Sequence, residues 1–234
     1  MKPVRKVAFG YMTLAIILFT AWPLHAQQSP YPTMAPLDQY LMERNAEIAL
    51  AKSAAPESIS GDAEVMVLER RGYETAAKGK NGFVCIVERS WSAGSDDPDF
   101  WNPKLRAPIC FNAASARFNI PLTVLRTTLV LAGQTKTQIF EHIKAALDRK
   151  ELPTLEPGAM CYMLSKNGYL GDRDGHWHPH LMFFVPSTDP AAWGAGLPGS
   201  PVLAFKDSAE QQTVFLVPVS TWSDGSYDLD NEHH

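Results

Sequence analysis

Apolar and polar residues alternate with a period of two between positions 64 and 88. Three segments carry the pattern, 65–68, 73–78 and 83–88, and turn-forming residues separate them at 71–72 and 80–82. Such alternation is typical of strands, and short connections containing glycine join antiparallel neighbours. The pattern predicts a three-stranded antiparallel meander, with 83–88 central because both of its faces are apolar.

Helical spacing of apolar residues marks three further segments. Residues 37–54 carry an apolar stripe that Pro56 ends, and in residues 112–133 Pro121 marks either a kink or the start of a second helix. The third segment, 135–149, opens with the spacing of a capping box and keeps its apolar residues on one face. This last helix is the most strongly encoded element of the chain.

Strand-like runs resume after the third helix, and they complete the predicted fold. They lie at 159–165, 180–185, 202–206 and 213–219. Strands and helices are grouped along the chain instead of alternating, which favours an α+β class over a parallel α/β sheet. We therefore predict a single α+β domain over residues 37–222, with an antiparallel sheet of six or seven strands and helices packed against it.

The two ends of the chain differ in composition from the centre. Residues 1–26 combine a basic start, an apolar run and a small residue at the end, which is the order of a signal peptide. Residues 27–36 predict an extended, Pro-rich leader, and residues 223–234 predict an acidic flexible tail. We therefore expect a periplasmic or secreted protein.

Charge narrows the classes of partner. The whole chain carries a formal net charge of −4, which becomes −7 once the three basic residues of the predicted signal peptide are removed. A chain this acidic, with no basic cluster, is a poor candidate for nucleic acid or for an anionic membrane surface. A small molecule or a metal ion stays open as the partner, and the sequence does not identify a protein partner.

Three cysteines, Cys85, Cys110 and Cys161, fit an oxidising compartment in which two pair and one remains. We favour a disulfide between Cys85 and Cys110, because it closes a loop around the long irregular segment and restricts it in the unfolded chain. Three buried thiols are the alternative.

That irregular segment, residues 90–108, has no periodicity and holds large aromatic residues among acids. Trp91 and Trp101 lie near Asp96, Asp97 and Asp99. Long structureless segments in compact domains are often functional, so the two tryptophans are candidate lip residues of a ligand site. Packing over the core is the alternative interpretation.

The densest candidate chemistry is His176, His178 and His180, three of the seven histidines within five positions. Imidazoles bind zinc or copper, and Asp172 and Asp174 are placed to orient the rings from outside the ligand set. The leading prediction is an exported, soluble binding or accessory protein whose site is this cluster, with a transition metal as one candidate ligand.

Two other functions remain open at this point. One is a hydrolase-like enzyme in which a histidine of the cluster acts as general base beside Asp172 or Asp174. The other is a structural or interaction module without a small-molecule site. Motifs of serine hydrolases, zincins and thioredoxin-type centres are absent from the sequence.

Overall fold

A computed structural model of the protein describes residues 30–172 and 175–229. The predicted signal peptide at 1–26, Asp174 and the terminal His233 and His234 lie outside these residues. Within the described ranges, none of the helices is both long and apolar enough to span a membrane.

In the part of the chain that the structure describes, one sheet of eight strands forms the centre of the fold, in the order β2-β1-β3-β4-β5-β6-β8-β7. The strands are β1 Glu64–Glu69, β2 Gly72–Ala77, β3 Val84–Glu88, β4 Ala107–Phe111, β5 Met160–Met163, β6 His180–Pro186, β7 Leu203–Asp207 and β8 Gln212–Pro218. The helices are α1 Arg44–Lys52, α2 Glu57–Ser60, α3 Ala113–Leu131 and α4 Lys136–Asp148. The predicted α+β class is confirmed.

The predicted meander is wrong in its last step, because β3 pairs with β1 in parallel and not with β2 in antiparallel. The connection after β2 crosses the end of β1, where the amide of Lys80 donates to the carbonyl of Asp62 at 2.8 Å. Gly79 permits this crossing, since a Cβ there would lie 2.2 Å from the backbone nitrogen of Glu64. The sheet is therefore mixed.

The sheet also has one strand more than predicted. Strand β4 pairs with β3 and β5 in the centre of the sheet, and all five of its residues are buried. Burial on both faces removes the polar alternation, and Pro108 argues against a central strand. Because of these two features, β4 does not show the alternation of apolar and polar residues that identifies a strand.

The helices begin and end where local signals place them, with one exception. Thr135 and Gln138 form the predicted capping box of α4. Helix α3, capped by Asn112, continues through Pro121 without ending. The first predicted helix is shorter than expected, because α1 begins only after Glu43, whose carboxylate accepts from the amides of Asn45 and Ala46.

The two faces of the sheet are covered by different helices. Helix α1 contacts β1, β3 and β4 on one face, and the buried cluster there includes Cys85 and Cys110. Helix α3 contacts β2, β4 and β5, and it also contacts α4. The cluster on this second face includes Ile109, Cys161 and Met163. Helices α1 and α3 therefore pack on different faces of the same sheet.

Both ends of the described chain lie against the domain. In the leader, Tyr31, Met34 and Ala35 pack against a buried aromatic cluster. The tail was predicted to be flexible from residue 223, but residues 223–229 fold back: Asp228 is buried, and its amide donates to the carbonyl of Ser220 at 2.9 Å. A polar composition gives no sign of this, because the tail is held by contacts with distant parts of the chain, such as the hydrogen bond from the amide of Ser223 to the carbonyl of Leu164 at 2.9 Å.

Candidate functional site

A cavity of about 380 Å³ lies on the face of the sheet opposite the disulfide; we name it the His180 cavity. Its floor is formed by inward-facing residues of the central strands. Met163 pairs with His180, and Met182 pairs with both Cys161 and Leu216, so these side chains share one face. The volume is within the range of small-molecule sites.

The walls of the cavity are largely apolar, and a loop covers one side of it. The apolar lining residues are Ala93, Pro98, Leu105, Ala107, Met163, Leu170, Met182 and Leu216. The loop that follows β3 covers one side, and its end is fixed by two backbone hydrogen bonds between Arg106 and Tyr169, of 2.8 and 2.9 Å. Gly171 lets Asp99 of this loop approach closely, since a Cβ there would lie 2.2 Å from Asp99 Oδ2.

His180 lines the cavity and carries one unprotonated ring nitrogen. Its Nδ1 lies 2.7 Å from the backbone carbonyl of His178, which can only accept, so Nδ1 carries the proton of the neutral ring. Burial lowers the pKa of His180, and the charge of His178 lowers it further. Nε2 of this buried residue is therefore a hydrogen-bond acceptor at neutral pH.

Trp177 supplies a donor beside this acceptor. Trp177 is 4% exposed and lines the cavity, and its ring centroid lies 6.0 Å from that of His180. Within residues 30–172 and 175–229, its indole N–H has no hydrogen-bond partner. Gly168 makes room for the indole, because a Cβ there would lie 2.4 Å from Trp177 Cζ2. A buried N–H without a partner costs about 1–3 kcal/mol, and a ligand that accepts from it recovers that cost.

Glu88 ends β3 and also lines the cavity. The hydroxyl of Thr123 donates to its carboxylate at 3.4 Å, and no ion pair holds Glu88 in the part of the chain that the structure describes. Burial raises the pKa of Glu88 to about 7, and the charge of Arg126 lowers it only in part. Titratable groups with such shifts, when they line a cavity, are typical of functional sites.

The three histidines of the predicted metal site do not converge. His176 is exposed, with Nδ1 3.2 Å from the carbonyl of Trp177, whereas His178 Nδ1 lies 2.7 Å from Asp228 Oδ2. The rings of His176 and His178 are 6.4 Å apart, and the ring of His180 turns to a separate carbonyl. Among residues 30–172 and 175–229, no group of three His, Cys, Asp or Glu side chains could hold a metal ion.

Asp172 does not orient a histidine. Its carboxylate accepts from the hydroxyls of Tyr31 and Tyr169 and forms an ion pair of 3.1 Å with Lys104. The hydrogen bonds from Tyr169, Tyr31 and Lys104 lower the pKa of Asp172. This carboxylate instead holds the leader on the domain, and its predicted partner Asp174 lies outside the described residues.

The two candidate lip residues separate. Trp91 is a core residue and not a lip: it is fully buried, its ring packs 4.9 Å from that of Tyr40, and its N–H donates to Thr127. Trp101 is 8% exposed and borders a larger cavity of about 740 Å³ beneath the leader. In that cavity the ammonium group of Lys136 already donates to the backbone carbonyl of Asp97 at 3.0 Å. We therefore place the candidate site at the His180 cavity.

The cysteines divide between the two faces of the sheet. Cys85 and Cys110 are paired neighbours on β3 and β4 and form a disulfide, the pairing favoured from the sequence. Cys161 is a free thiol on the other face, fully buried, and burial raises its pKa well above the ordinary value. A buried thiol in this environment is a poor nucleophile.

Three residues of the site region were missed from the sequence. Glu88 closes an apolar strand and Trp177 stands between two of the histidines, so both were visible as polar or large residues near the predicted elements. Asp228 had no such signal, because it is 50 positions from His178.

Comparison with protein-family models, with curated proteins and with solved structures finds no match for this chain. The functional proposal therefore depends on the geometry of the cavity alone.

Proposed function

We propose that the chain is an exported binding protein for a small, largely apolar molecule, and that the His180 cavity is its site. The observation that carries the proposal is the indole N–H of Trp177, which is buried and has no hydrogen-bond partner among the described residues, on a side chain that lines the cavity. Buried polar groups in proteins are nearly always hydrogen-bonded. A ligand atom is the natural partner for this one.

The neighbouring acceptor defines the polar group of that ligand. Nε2 of His180 accepts, and Nε1 of Trp177 donates, with ring centroids 6.0 Å apart. A hydroxyl group can donate to the first and accept from the second. We therefore expect a ligand with a hydroxyl at this end and an apolar body along the methionine and leucine side chains of the cavity.

The test uses Trp177→Phe, which removes the N–H and retains an aromatic ring. A library of small apolar alcohols is screened by thermal shift, and hits are measured by titration calorimetry on the wild type and the variant. Loss of one hydrogen bond predicts a three- to tenfold weaker affinity, equivalent to about 0.7–1.4 kcal/mol. Trp193→Phe is the matched control, because Trp193 is exposed and does not line the cavity.

Two results would contradict the proposal. One is a screen in which no alcohol raises the melting temperature of the folded protein. The other is a set of hits whose affinity is the same in the wild type and in Trp177→Phe. Equal weakening by the Trp193→Phe control would place the site elsewhere on the surface.

Transition-metal binding by His176 and His178 is a second candidate, favoured by one contact. Asp228 is buried and holds His178 Nδ1 at 2.7 Å, the kind of carboxylate contact that orients metal-binding histidines. We propose that zinc or copper binds the exposed rings with water completing the set. Titration calorimetry with each ion decides it, and the variant His176→Ala/His178→Ala should bind neither.

A further inference from the structure

A smaller cavity of about 80 Å³, lined by α3 and by β6 to β8, lies next to the His180 cavity; we name it the adjoining cavity. Met182 and Leu216 are a pair on β6 and β8 and line the His180 cavity. The next pair on the same face, Phe184 and Val214, lines the adjoining cavity. Met182 lines both, so the two cavities follow one another along these strands.

Two buried polar side chains of the adjoining cavity each have one atom without a hydrogen-bond partner among the described residues. These atoms are Nε of Arg126 and Oε1 of Gln212, and the two residues are 4% and 3% exposed. The other nitrogens of Arg126 donate to the carbonyl of Ser92 at 2.9 Å and pair with Glu210. Gln212 Nε2 donates to Glu210 at 2.5 Å, which identifies Oε1, because a carboxylate only accepts. One donor and one acceptor are therefore left on the side chains that line this cavity.

The group that suits these two atoms is neutral. The charge of Arg126 is balanced, because Glu210 pairs with it and the charges of Glu88 and Asp207 also act on it. An anion would meet these carboxylates, and a cation would meet the arginine. A hydroxyl accepts from the N–H of Arg126 and donates to the carbonyl oxygen of Gln212. It is the same kind of group that we propose at the other cavity.

An apolar path separates the two polar ends. His180, Met182 and Phe184 share one face of β6, and Gln212 is paired with Pro186 further along that strand. The six residues from His180 to Pro186 rise about 3.4 Å each, which gives about 20 Å between the backbones of the two ends. A molecule that contacts both ends is therefore long, and it is apolar in the middle.

We propose that the two cavities form one elongated site, and that its ligand is an apolar chain with a hydroxyl group at each end. One hydroxyl lies at Trp177 and His180, and the other lies at Arg126 and Gln212. The chain passes Met182, a half-buried and flexible side chain whose rotation joins the two cavities. The proposal rests on the proposed binding function and names the ligand class.

The experiment compares 1,12-dodecanediol with 1-dodecanol, and 1,6-hexanediol with 1-hexanol as the short pair. Affinities are measured by titration calorimetry with the protein as titrant, because the long alcohols are sparingly soluble. The variant is Gln212→Met, which keeps the length of the side chain and removes the acceptor. Gln39→Met is the matched control, because Gln39 is exposed and lines neither cavity. Thermal melts check that each variant is folded.

The wild type and Gln39→Met should bind the long diol about three- to tenfold more tightly than the long monoalcohol, because the second hydroxyl gains hydrogen bonds. Gln212→Met should lose this preference. The short diol should bind no more tightly than 1-hexanol, because it cannot reach both ends and its second hydroxyl meets apolar walls.

Three results would overturn the proposal while leaving the binding function standing. They are equal or tighter binding of 1-dodecanol by the wild type, an unchanged diol preference in Gln212→Met, and the same preference in the short pair. If neither long probe binds the wild type, the elongated site is overturned, and the alcohol screen alone then decides the binding function.

A second variant covers a failure of the first to fold. Arg126→Lys keeps a positive charge for Glu210 and removes the Nε donor, so it should also lose the diol preference. If neither variant folds, the comparison of the long and short pairs on the wild type still supports or overturns the proposal.

Discussion

Replacing Glu47 by alanine tests a charge pair that is buried in the core of the fold. Glu47 of α1 and Arg89 after β3 form an ion pair of 2.8 Å, and their side chains are 1% and 0% exposed. The other oxygen of Glu47 accepts from the amide of Leu68 at 2.9 Å. Glu47→Ala therefore leaves a buried guanidinium without its counter-charge and an amide of β1 without its partner.

The expected loss in the free energy of unfolding is about 4 kcal/mol. Breaking one side of a buried pair typically costs about 3–5 kcal/mol, because the remaining charge stays in the interior. The matched control is Glu151→Ala, which removes an exposed pair with Arg149 at 2.6 Å and should change stability by less than about 0.5 kcal/mol. Urea unfolding followed by tryptophan fluorescence, with the disulfide intact, measures both.

A double variant separates charge from packing. Glu47→Met with Arg89→Met removes both charges, so it should be more stable than Glu47→Ala alone. The reasoning fails if Glu47→Ala costs less than about 1 kcal/mol. It also fails if the double variant is as unstable as the single one, because the loss would then come from packing and not from an uncompensated charge.

Two further predictions concern the sheet. Cys85 and Cys110 are separated by 25 positions, and replacing both by serine should lower the free energy of unfolding in urea by about 3 kcal/mol. Equal stability with and without the bridge would contradict this. Replacing the free Cys161 by alanine should leave the disulfide content unchanged in peptide mapping. Because burial raises the pKa of Glu88 from 4.5 to about 7, the folded state holds a proton that the unfolded state loses, so stability falls as pH rises from about 4.5 to about 7. The stability advantage of Glu88→Gln over the wild type should therefore grow across that window to at most about 3 kcal/mol, and an advantage independent of pH would refute the assignment.

Local signals in the sequence were enough for the elements whose hydrogen bonds are local. Helix α4 was predicted from its capping box, and β6 from its apolar run. The pairing of β1 with β3 could not be predicted, because it depends on a crossing that only a residue as small as Gly79 permits. Strand β4 was missed because complete burial erases the alternation that identifies a strand.

Only the part of the candidate site that depends on local signals was predicted from the sequence. His180 was correctly placed at the start of a strand and at the edge of the core. The role of Glu88 depends on burial, and the contact between Asp228 and His178 joins residues far apart in the chain, so neither follows from spacing. The tryptophans of the loop were visible, but which of them is buried depends on the tertiary packing of Trp91.

The disulfide encloses the segment that covers one side of the His180 cavity. Cys85 and Cys110 form a covalent ring, and the loop residues Ala93, Asp97, Asp99 and Leu105 that border the His180 cavity all belong to it. A ring restricts how far these residues can move apart when the cavity is empty. Much of the entropy loss of ordering the cavity wall is thus incurred when the chain folds and oxidises, and less would remain to oppose binding of the proposed ligand. In the proposed binding function, oxidation on one face of the sheet preorganises the ligand site on the other.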